Sequence, residues 1–452
     1  MACRALCVLL FLALTAERNG DPLLYNGMWR SPLQVFAPLF DSIPGVRQPA
    51  WNLLLVALAP FCLLQPGAFR KRAWPLDVAI ALGLGTIAFG VLWGWFRGGS
   101  AYFAYYQVHA LVISLVVALL LRAAVRSPSD LKLVGLTLLS AALVRAALAL
   151  YFFFAYVRGH EPYPPHMTSH DDSPLFAAGV VVALVWAFAR RRFATWAVAA
   201  PAIVVLMLAM KVNNRRIAWL ELGVALAFLY LLPMARALRR RANRWLLVAV
   251  PVLALYAAVG WGRSGPLFAP LRAIDSATGD NQDASALARN EENLNLMITY
   301  IRHPILGSGW GHPFVSVSSY YANFGGGWDE MYRYTPHNSL AALIAFTGLF
   351  GLFGTLAALP VAAFLAGRAA REARGPTEHT AALAAVCLLP IFGVHAYGDI
   401  GLQSPSAGLV LSVALAAAGR VSAWTGAWPE RKRRARQRAA PPPDAPSVAD
   451  AA

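Results

Sequence analysis

Residues 333–354 have the sequence RYTPHNSLAALIAFTGLFGLFG, and this stretch decides the fold class of the chain. No charged residue occurs from Asn338 to Gly367. This run is longer than the ~20 residues that a helix rising about 1.5 Å per residue needs to cross the hydrocarbon core of a bilayer. Pro336 is tolerated in the first turn of a helix but not in its interior. We therefore predict a membrane span that begins here, with His337 and Asn338 at the membrane surface.

The composition of the whole chain is that of a membrane protein. Of its 452 residues, 58% are hydrophobic and 13% are charged, and the mean hydropathy is +0.52. An ordinary soluble domain has roughly 25% charged residues. The net charge of +17 would suggest nucleic-acid binding in a soluble protein, but here the basic residues form short clusters between apolar runs, where they report orientation. We predict no nucleic-acid partner and, with only four cysteines in apolar segments, no disulfide framework.

Apolar runs recur along the chain and predict an all-α fold, a polytopic membrane helical bundle of about 12 transmembrane helices. The predicted spans are residues 1–16, 50–68, 74–96, 101–121, 131–157, 174–189, 194–212, 216–234, 245–262, 338–362, 380–398 and 404–420. The first run is short and also fits the apolar core of a signal peptide, so both interpretations stay open.

Basic residues set the predicted orientation. When the chain is threaded through the membrane from a cytoplasmic start, most of its lysines and arginines fall on the cytoplasmic side. Four regions follow from this threading: N-terminal spans (1–262), a large periplasmic loop (263–337), C-terminal spans (338–420) and a basic, Pro/Ala-rich cytoplasmic tail (421–452). In the loop, residues 286–304 carry apolar residues at helical spacing, which predicts an amphipathic helix on the outer surface or against the bundle.

Three stretches bring cations or histidine to the predicted outer face. The first is NNRRIAWLEL (213–222), which contains Arg215 and Arg216 at the start of the eighth span. The second begins at Arg289 in the loop helix and continues to HPILGSGWG (303–311). The third is YTPHNSL (334–340). Arginine stays charged and binds phosphate oxygens through two parallel hydrogen bonds, so a phosphorylated substrate at this face fits the residue types.

The order of these elements resembles the O-antigen ligase and O-antigen polymerase superfamily of bacterial envelope glycosyltransferases. The resemblance rests on Arg216-Ile-Ala-Trp-Leu at a span start, on Arg289 ahead of Pro304-Ile-Leu-Gly-Ser-Gly, and on His337-Asn-Ser-Leu leading into a span with Gly-x-x-Gly. It covers roughly residues 200–420. The family typically has Ser-Arg before the eighth span, where this chain has Asn-Arg-Arg, so both Arg215 and Arg216 are candidates for the family's arginine.

The resemblance implies a multi-pass enzyme of the bacterial inner membrane with its active site facing the periplasm. It would transfer a glycan from an undecaprenyl-pyrophosphate carrier to lipid A core, without metal or other cofactor and with inversion at the sugar. A polymerase, which extends another carrier-linked glycan, and a protein O-oligosaccharyltransferase are alternatives with the same chemistry. A polysaccharide transporter or flippase is the second alternative, although such folds usually bind near the bilayer midplane between repeated halves.

The resemblance and the residue types predict two groups of site residues: catalytic His337, Arg289 and Arg216, and substrate-binding Arg215, Asn338 and Tyr334. The arginines would stabilise the negative charge that grows on the departing pyrophosphate. His337 would orient the acceptor hydroxyl or take its proton, because imidazole titrates near neutral pH. Asn338 is interpreted either as a hydrogen-bond donor to the sugar or as the N-cap of the tenth span.

Several further features allow a functional and a structural interpretation. Glycines 307, 309 and 311 fit a phosphate cradle or a turn after a proline. Trp310 and Tyr332 fit a sugar platform or an interfacial aromatic belt.

Two charged groups outside these motifs also need a role. Arg145 lies near the middle of its predicted span, where a charge costs at least ~2.5 kcal/mol, so it needs a carboxylate or a water-filled cavity. A structural pair with Glu221 or Asp77 is the first interpretation, and a contact to the lipid carrier is the second. His166, His170, Asp171 and Asp172 have the residue types of metal ligands, but in a Pro-rich loop we expect them to belong to a cover over the site rather than to a metal centre.

Overall fold

The computed structural model describes most of the chain. The described residues are 1–16, 36, 38–40, 49–65, 73–159, 166–190, 192–231, 236–263, 268, 271, 284–317 and 332–428. The predicted cytoplasmic tail lies outside the described residues from residue 429 onward, as do most of 264–283 and all of 318–331 in the large loop.

Helices make up the regular structure of the described part. The helices are α1 (Ala2–Thr15), α2 (Ala50–Leu63), α3 (Trp74–Phe96), α4 (Ala101–Ala124), α5 (Pro128–Phe152), α6 (Asp172–Arg190), α7 (Phe193–Asn213), α8 (Arg216–Leu231), α9 (Arg236–Gly260), α10 (Ala284–Arg302), α11 (Ser339–Leu356), α12 (Ala358–Glu372), α13 (Pro376–Gly398) and α14 (Pro405–Thr425). A π-helical turn, Phe153–Val157, extends α5.

Each predicted span overlaps a helix within the described residues, and the all-α membrane fold is confirmed. Within the described residues, eight helical segments are long and apolar enough to cross a membrane: α3, α4, α5 with its π turn, α6, α7, α11 together with α12, α13 and α14. Helices α1 and α2 and the end of α9 are apolar but shorter. The predicted number of 12 spans is therefore not confirmed by length and composition.

Helix α14 lies at the centre of the bundle. In its most apolar window, 94% of the residues are buried, and it packs against α4, α12 and α13. Its sequence is rich in Ala, Gly and Ser, which let helix backbones approach closely inside a membrane. Helix α1 packs against α5 with Leu6, Leu10 and Leu14 buried, so the first apolar run belongs to the bundle in this structure.

The span predicted at 338–362 is not one continuous helix. It breaks at Gly348, whose φ of 62° is left-handed, and the carbonyls before the break lose their helical partners. The segment 304–309 supplies replacements: the N–H of Ser308 donates to the carbonyl of Ala345 (3.1 Å), and the N–H of Gly309 donates to that of Phe346 (2.8 Å). Unsatisfied backbone groups are costly in a membrane, so this docked segment is what makes the break tolerable.

The same segment satisfies the other side of the break. The N–H of Leu349 donates to the carbonyl of Pro304 (3.0 Å), and the N–H of Phe350 donates to that of Ile305 (3.1 Å). The Pro-Ile-Leu-Gly-Ser-Gly motif is thus a plug that fills the gap in α11, and we call residues 304–311 the plug segment.

The glycines of the plug segment are required for its close approach to α3 and α11. A Cβ on Gly309 would lie 2.3 Å from the Cα of Gly94 in α3. The N–H groups of residues 307–311 all donate to protein acceptors, the last of them to Oε1 of Gln107 in α4 (2.6 Å). The phosphate-cradle interpretation is therefore wrong, because no N–H remains free for a phosphate. Trp310 is buried against Phe346 and is not a sugar platform.

Arg145 does have a carboxylate partner, but not one that we predicted. Its guanidinium binds Asp172 at the start of α6, with Nε to Oδ1 at 3.0 Å and Nη2 to Oδ2 at 2.7 Å. Both side chains are buried. Glu221 and Asp77 are engaged elsewhere, with a histidine of α13 and an arginine of α4 respectively. A buried charge needs a close partner, and the helix packing decided which carboxylate supplied it.

The amphipathic loop helix exists as α10, but its polar face is the one that packs on the protein. Leu294, Met297 and Ile301 are exposed, while Asn295 and Thr299 are buried. Asn295 and Thr299 accept hydrogen bonds from backbone N–H groups of residues 317 and 315 (3.0 and 2.8 Å). Helical periodicity identifies an apolar face, but it does not say whether protein or lipid covers that face.

Candidate active site

The site centres on a pair formed by a histidine and a buried carboxylate. His337 stands in the short connection before α11, and its Nδ1 lies 3.1 Å from Oε2 of Glu292 on α10. The Glu292 side chain is 1% exposed and that of His337 is 37% exposed. The carboxylate therefore holds one ring nitrogen from inside the protein, while the rest of the imidazole faces the surface.

Asn338 caps α11 and ties it to α10. Its Oδ1 accepts the N–H of Ala341 (3.0 Å), and its Nδ2 donates to Oδ1 of Asn293 (2.9 Å). The N–H of Asn338 donates to Oε1 of Glu292 (3.0 Å). The N-cap interpretation is confirmed. The same carboxylate thus fixes both the imidazole and the backbone at the start of the helix.

The surroundings of His337 favour its protonated form. Burial would lower the pKa of His337, but the hydrogen bond and charge of Glu292 and the charge of Asp399 outweigh burial and raise that pKa above its ordinary value. The positive charge of Arg289 opposes the rise. Arg289 is therefore close enough to His337 to influence its titration, although its side chain is exposed on α10.

Arg215 shares this electrostatic environment. It lies in the connection between α7 and α8, where Asn214 adopts a left-handed conformation (φ 53°) that ends α7. Burial lowers the pKa of Arg215 to about 10, with the charge of Asp399 opposing and that of Arg289 adding to this effect. Its Nε is buried and has no hydrogen-bond partner within the described residues.

Arg216 differs from its neighbour in position. It is the first residue of α8 and its side chain is exposed, whereas Arg215 is partly buried toward Asp399 and Arg289. The structure thus separates the two candidates that the sequence left side by side, and it brings Arg215, Arg289 and His337 into one region.

Asp399, at the end of α13, forms a second imidazole–carboxylate pair. Its Oδ2 lies 2.7 Å from Nδ1 of His170, and its carbonyl accepts the Oγ–H of Ser339 (3.2 Å). Burial opposes ionisation, but the hydrogen bond and charge of His170, the charge of His395 and the N–H of Ile400 together lower the pKa of Asp399. The charge of this carboxylate raises the pKa of His337 and opposes the lowering of the pKa of Arg215.

The two loop histidines have separate protein partners. His170 binds Asp399, and the ring of His166 lies 3.3 Å, through Nδ1, from the carbonyl of Asn213. Burial and the charge of Arg215 lower the pKa of His166 to about 4. Among the residues that the structure describes, no group of three His, Cys, Asp or Glu side chains has the arrangement of a metal site. The segment beginning at residue 166 therefore contacts Asn213 and Asp399, and its role as a cover over the site stays a prediction.

Tyr334 is held by packing. Its ring stacks on Phe103 of α4, with ring centroids 3.7 Å apart and an interplanar angle of 9°. Its carbonyl accepts a hydrogen bond from Nε2 of Gln107 (3.0 Å), whose Oε1 also binds the end of the plug segment. One face of the Tyr334 ring is therefore covered by protein. Gln107 links both the plug segment, through Gly311, and Tyr334 to α4.

Three residues of this site escaped the sequence analysis as individual candidates: Glu292, Asp399 and Gln107. Glu292 sits in a predicted amphipathic helix, where a glutamate is ordinarily on the solvated face. Asp399 lies within the GDIGLQSP stretch (398–405), a polar interruption between two spans that offered the available signal. Gln107 is a lone amide inside an apolar span, and a buried polar residue in a span is a functional or structural marker by default.

Comparison with known proteins agrees with the motif order. No curated protein matches the chain. Residues 201–356 match the family model described as O-antigen ligase, a range that contains Arg215, Arg289, Glu292, His337 and the plug segment. The match supports the resemblance to the O-antigen ligase and polymerase superfamily, and it is confined to residues 201–356 of this membrane protein.

Proposed function

We propose that this protein is an inner-membrane glycosyltransferase that moves a glycan from an undecaprenyl-pyrophosphate carrier to an acceptor hydroxyl on the periplasmic face. The observation that carries the proposal is the pair of His337 and Glu292, set beside Arg289 and Arg215 at one end of the helical bundle. This combination offers a titratable group for the acceptor and fixed positive charge for the donor.

His337 has the features of a general base. Glu292 binds Nδ1, so in the neutral ring Nδ1 carries the hydrogen and Nε2 has the free lone pair. A proton taken at Nε2 would then be stabilised by the buried carboxylate. A hydroxyl acceptor that arrives from water would meet the partly exposed edge of this ring.

Arg215 and Arg289 are the candidates for binding the pyrophosphate. Each stays charged at neutral pH, and the Nε of Arg215 lacks a partner among the described residues, so it can donate to a ligand. Their mutual repulsion in the absence of substrate would be relieved by an anion between them. Arg216, which is exposed one residue away, stays predicted as a catalytic arginine that stabilises the departing pyrophosphate.

The reaction would be a single displacement. The acceptor oxygen forms a bond to the anomeric carbon, the bond from that carbon to the pyrophosphate oxygen breaks, and its electron pair leaves with the lipid diphosphate. The hydroxyl proton goes to Nε2 of His337. Displacement in one step inverts the anomeric centre, and the two arginines stabilise the charge that a metal ion would otherwise offset.

A ligase differs from a polymerase in the acceptor that receives the glycan, so an assay with defined acceptors distinguishes them. Purified protein is incubated with an undecaprenyl-pyrophosphate glycan and with either lipid A core or additional donor, in buffer with EDTA and with Mg²⁺. Product on lipid A core in both buffers supports a metal-independent ligase. Elongated carrier-linked chains would instead indicate a polymerase, and transfer to neither acceptor would direct the search to protein acceptors.

Transport without chemistry makes a different prediction about essential residues. A transporter would depend on buried charges within the spans, such as Arg145 and Glu221. A glycosyltransferase would depend on His337, Arg215 and Arg289. Glycan translocation that survives neutral substitution of all three of these residues would overturn the enzymatic proposal.

A further inference from the structure

A cavity lies at the end of the bundle opposite His337. It is partly open to the surface, has room of about 80 Å³ for water-sized molecules, and is bordered by α5, α6, α13 and α14. The bordering residues come from the start of α13 (Thr377 onward) and the end of α6 (up to Arg190). The catalytic end is formed by the opposite ends of these helices, at Asp399 and Asp172, so the cavity is separate from the candidate active site.

The cavity has an apolar body and a basic mouth. Leu136, Leu388 and Val413 are among the apolar residues of its wall. Lys132 near the start of α5 and Arg190 at the end of α6 stand at the same end, beside the hydroxyl of Thr377. No carboxylate belongs to the described lining of the cavity.

We propose that this cavity binds an anionic phospholipid. One acyl chain would enter between the helices, and the phosphate of the headgroup would bind Lys132 and Arg190. Charge complementarity selects this occupant: two cations at the mouth of an apolar cleft between membrane helices match a negatively charged headgroup above a hydrocarbon chain. After α14, whose C-terminal end lies at this end of the bundle, the sequence continues with RKRRARQR (431–438), which carries the same sign of charge as Lys132 and Arg190 and is not complementary to them.

A substitution at Gly135 can fill the cavity without disturbing the fold. It lines the cavity, and a Cβ added to it meets no atom within 4 Å. Gly135→Leu therefore fills the space that the acyl chain would use. Gly85 on α3 offers a matched control, because it is helical, exposed and equally free of neighbours, and it does not line the cavity. Lys132→Gln with Arg190→Gln removes the charges and keeps the cavity.

The experiment measures lipid retention by native mass spectrometry of the delipidated full chain, titrated with dioleoyl-phosphatidylglycerol or dioleoyl-phosphatidylcholine. We expect the wild type and Gly85→Leu to retain the anionic lipid on the order of 10-fold better than the neutral one, since each basic residue near the headgroup adds attraction. Lys132→Gln with Arg190→Gln should lose this preference and still bind both lipids. Gly135→Leu should lose retention of both.

Two outcomes would overturn the proposal. One is equal retention of the two lipids by the wild type, and the other is unchanged retention by Gly135→Leu. The variant Lys132→Gln with Arg190→Gln tests the preference for anionic lipid even if Gly135→Leu fails to fold, because it alters no volume in the core. The measurement does not involve glycan transfer. Its result therefore tests the lipid-binding proposal independently of the proposed enzyme function.

Discussion

Glu292 and His337 come from segments 45 residues apart and meet with Nδ1 and Oε2 at 3.1 Å. The carboxylate is buried and the imidazole is open on one side. Glu292 also accepts the backbone N–H of Asn338, so it couples the orientation of the imidazole to the start of α11. The pair is a positioned imidazole with a charge behind it, the arrangement that makes a histidine an effective base.

The first prediction concerns pH. Glu292 raises the pKa of His337, and a base acts in its neutral form, so the acid limb of the wild-type pH–rate profile should lie above the ordinary histidine value of about 6.5. Glu292→Gln removes the charge, lowers the pKa of His337 and should move this limb to lower pH. Initial rates of glycan transfer over a pH series measure it.

A limb that stays in position in Glu292→Gln would contradict the role of Glu292 in tuning His337. Thr299→Val is a useful control, because it removes another buried polar group from the same face of α10 without contacting His337. It should leave the position of the limb unchanged.

The second prediction separates the arginines. Arg215→Gln and Arg289→Gln should each lower kcat on the order of 10²-fold or more, since each removes a charge that stabilises the leaving pyrophosphate. Arg216→Gln should cost less, because its side chain is exposed beside the site. Arg302→Gln, an exposed arginine at the other end of α10, is the matched control for Arg289 and should remain active.

Lysine replacements refine that comparison. Arg215→Lys keeps the charge but loses the planar fork, so it should recover part of the lost rate. An Arg216→Gln variant more impaired than Arg215→Gln would assign the leading role to Arg216 instead. Rates measured on a carrier-linked glycan in detergent distinguish these outcomes.

The third prediction tests the plug segment. Gly309→Ala adds a Cβ that would lie 2.3 Å from the Cα of Gly94, at a φ of 94° that disfavours side chains. We expect it to lower the free energy of unfolding by roughly 1–3 kcal/mol and to loosen the break in α11. Gly367→Ala, in a helix with no atom within 4 Å, should be neutral or slightly stabilising. Thermal unfolding in detergent compares them, and equal melting temperatures would contradict the plug model.

The fourth prediction concerns the buried ion pair. Asp172→Asn leaves the Arg145 charge without its carboxylate, which costs about 3–5 kcal/mol in buried pairs. Arg145→Met combined with Asp172→Leu removes both charges and should recover most of that stability. The yield of folded protein and its melting temperature report the effect. A double variant as unstable as Asp172→Asn would indicate that the pair does more than neutralise charge.

Much of the architecture was predictable, because the run after His337 and its counterparts along the chain are too apolar to be anything but membrane helices. The motif order also identified Arg289 and His337, since charged and titratable residues at the ends of spans stand out against an apolar background. The break at Gly348 was not predictable. Hydropathy measures only apolarity, and the plug segment that satisfies the broken backbone lies about forty residues earlier in the chain.

The sequence by itself determined that this protein lies in a lipid bilayer. A chain this poor in charge and this rich in long apolar runs must form its backbone hydrogen bonds within membrane helices. Only the tertiary structure decided which polar groups meet. It paired Glu292 with His337, Asp172 with Arg145 and Asp399 with His170, and it left Arg215 partly buried and Arg216 exposed. The physical reason is that helix formation depends on local sequence, whereas the partner of a buried charge depends on how distant helices pack.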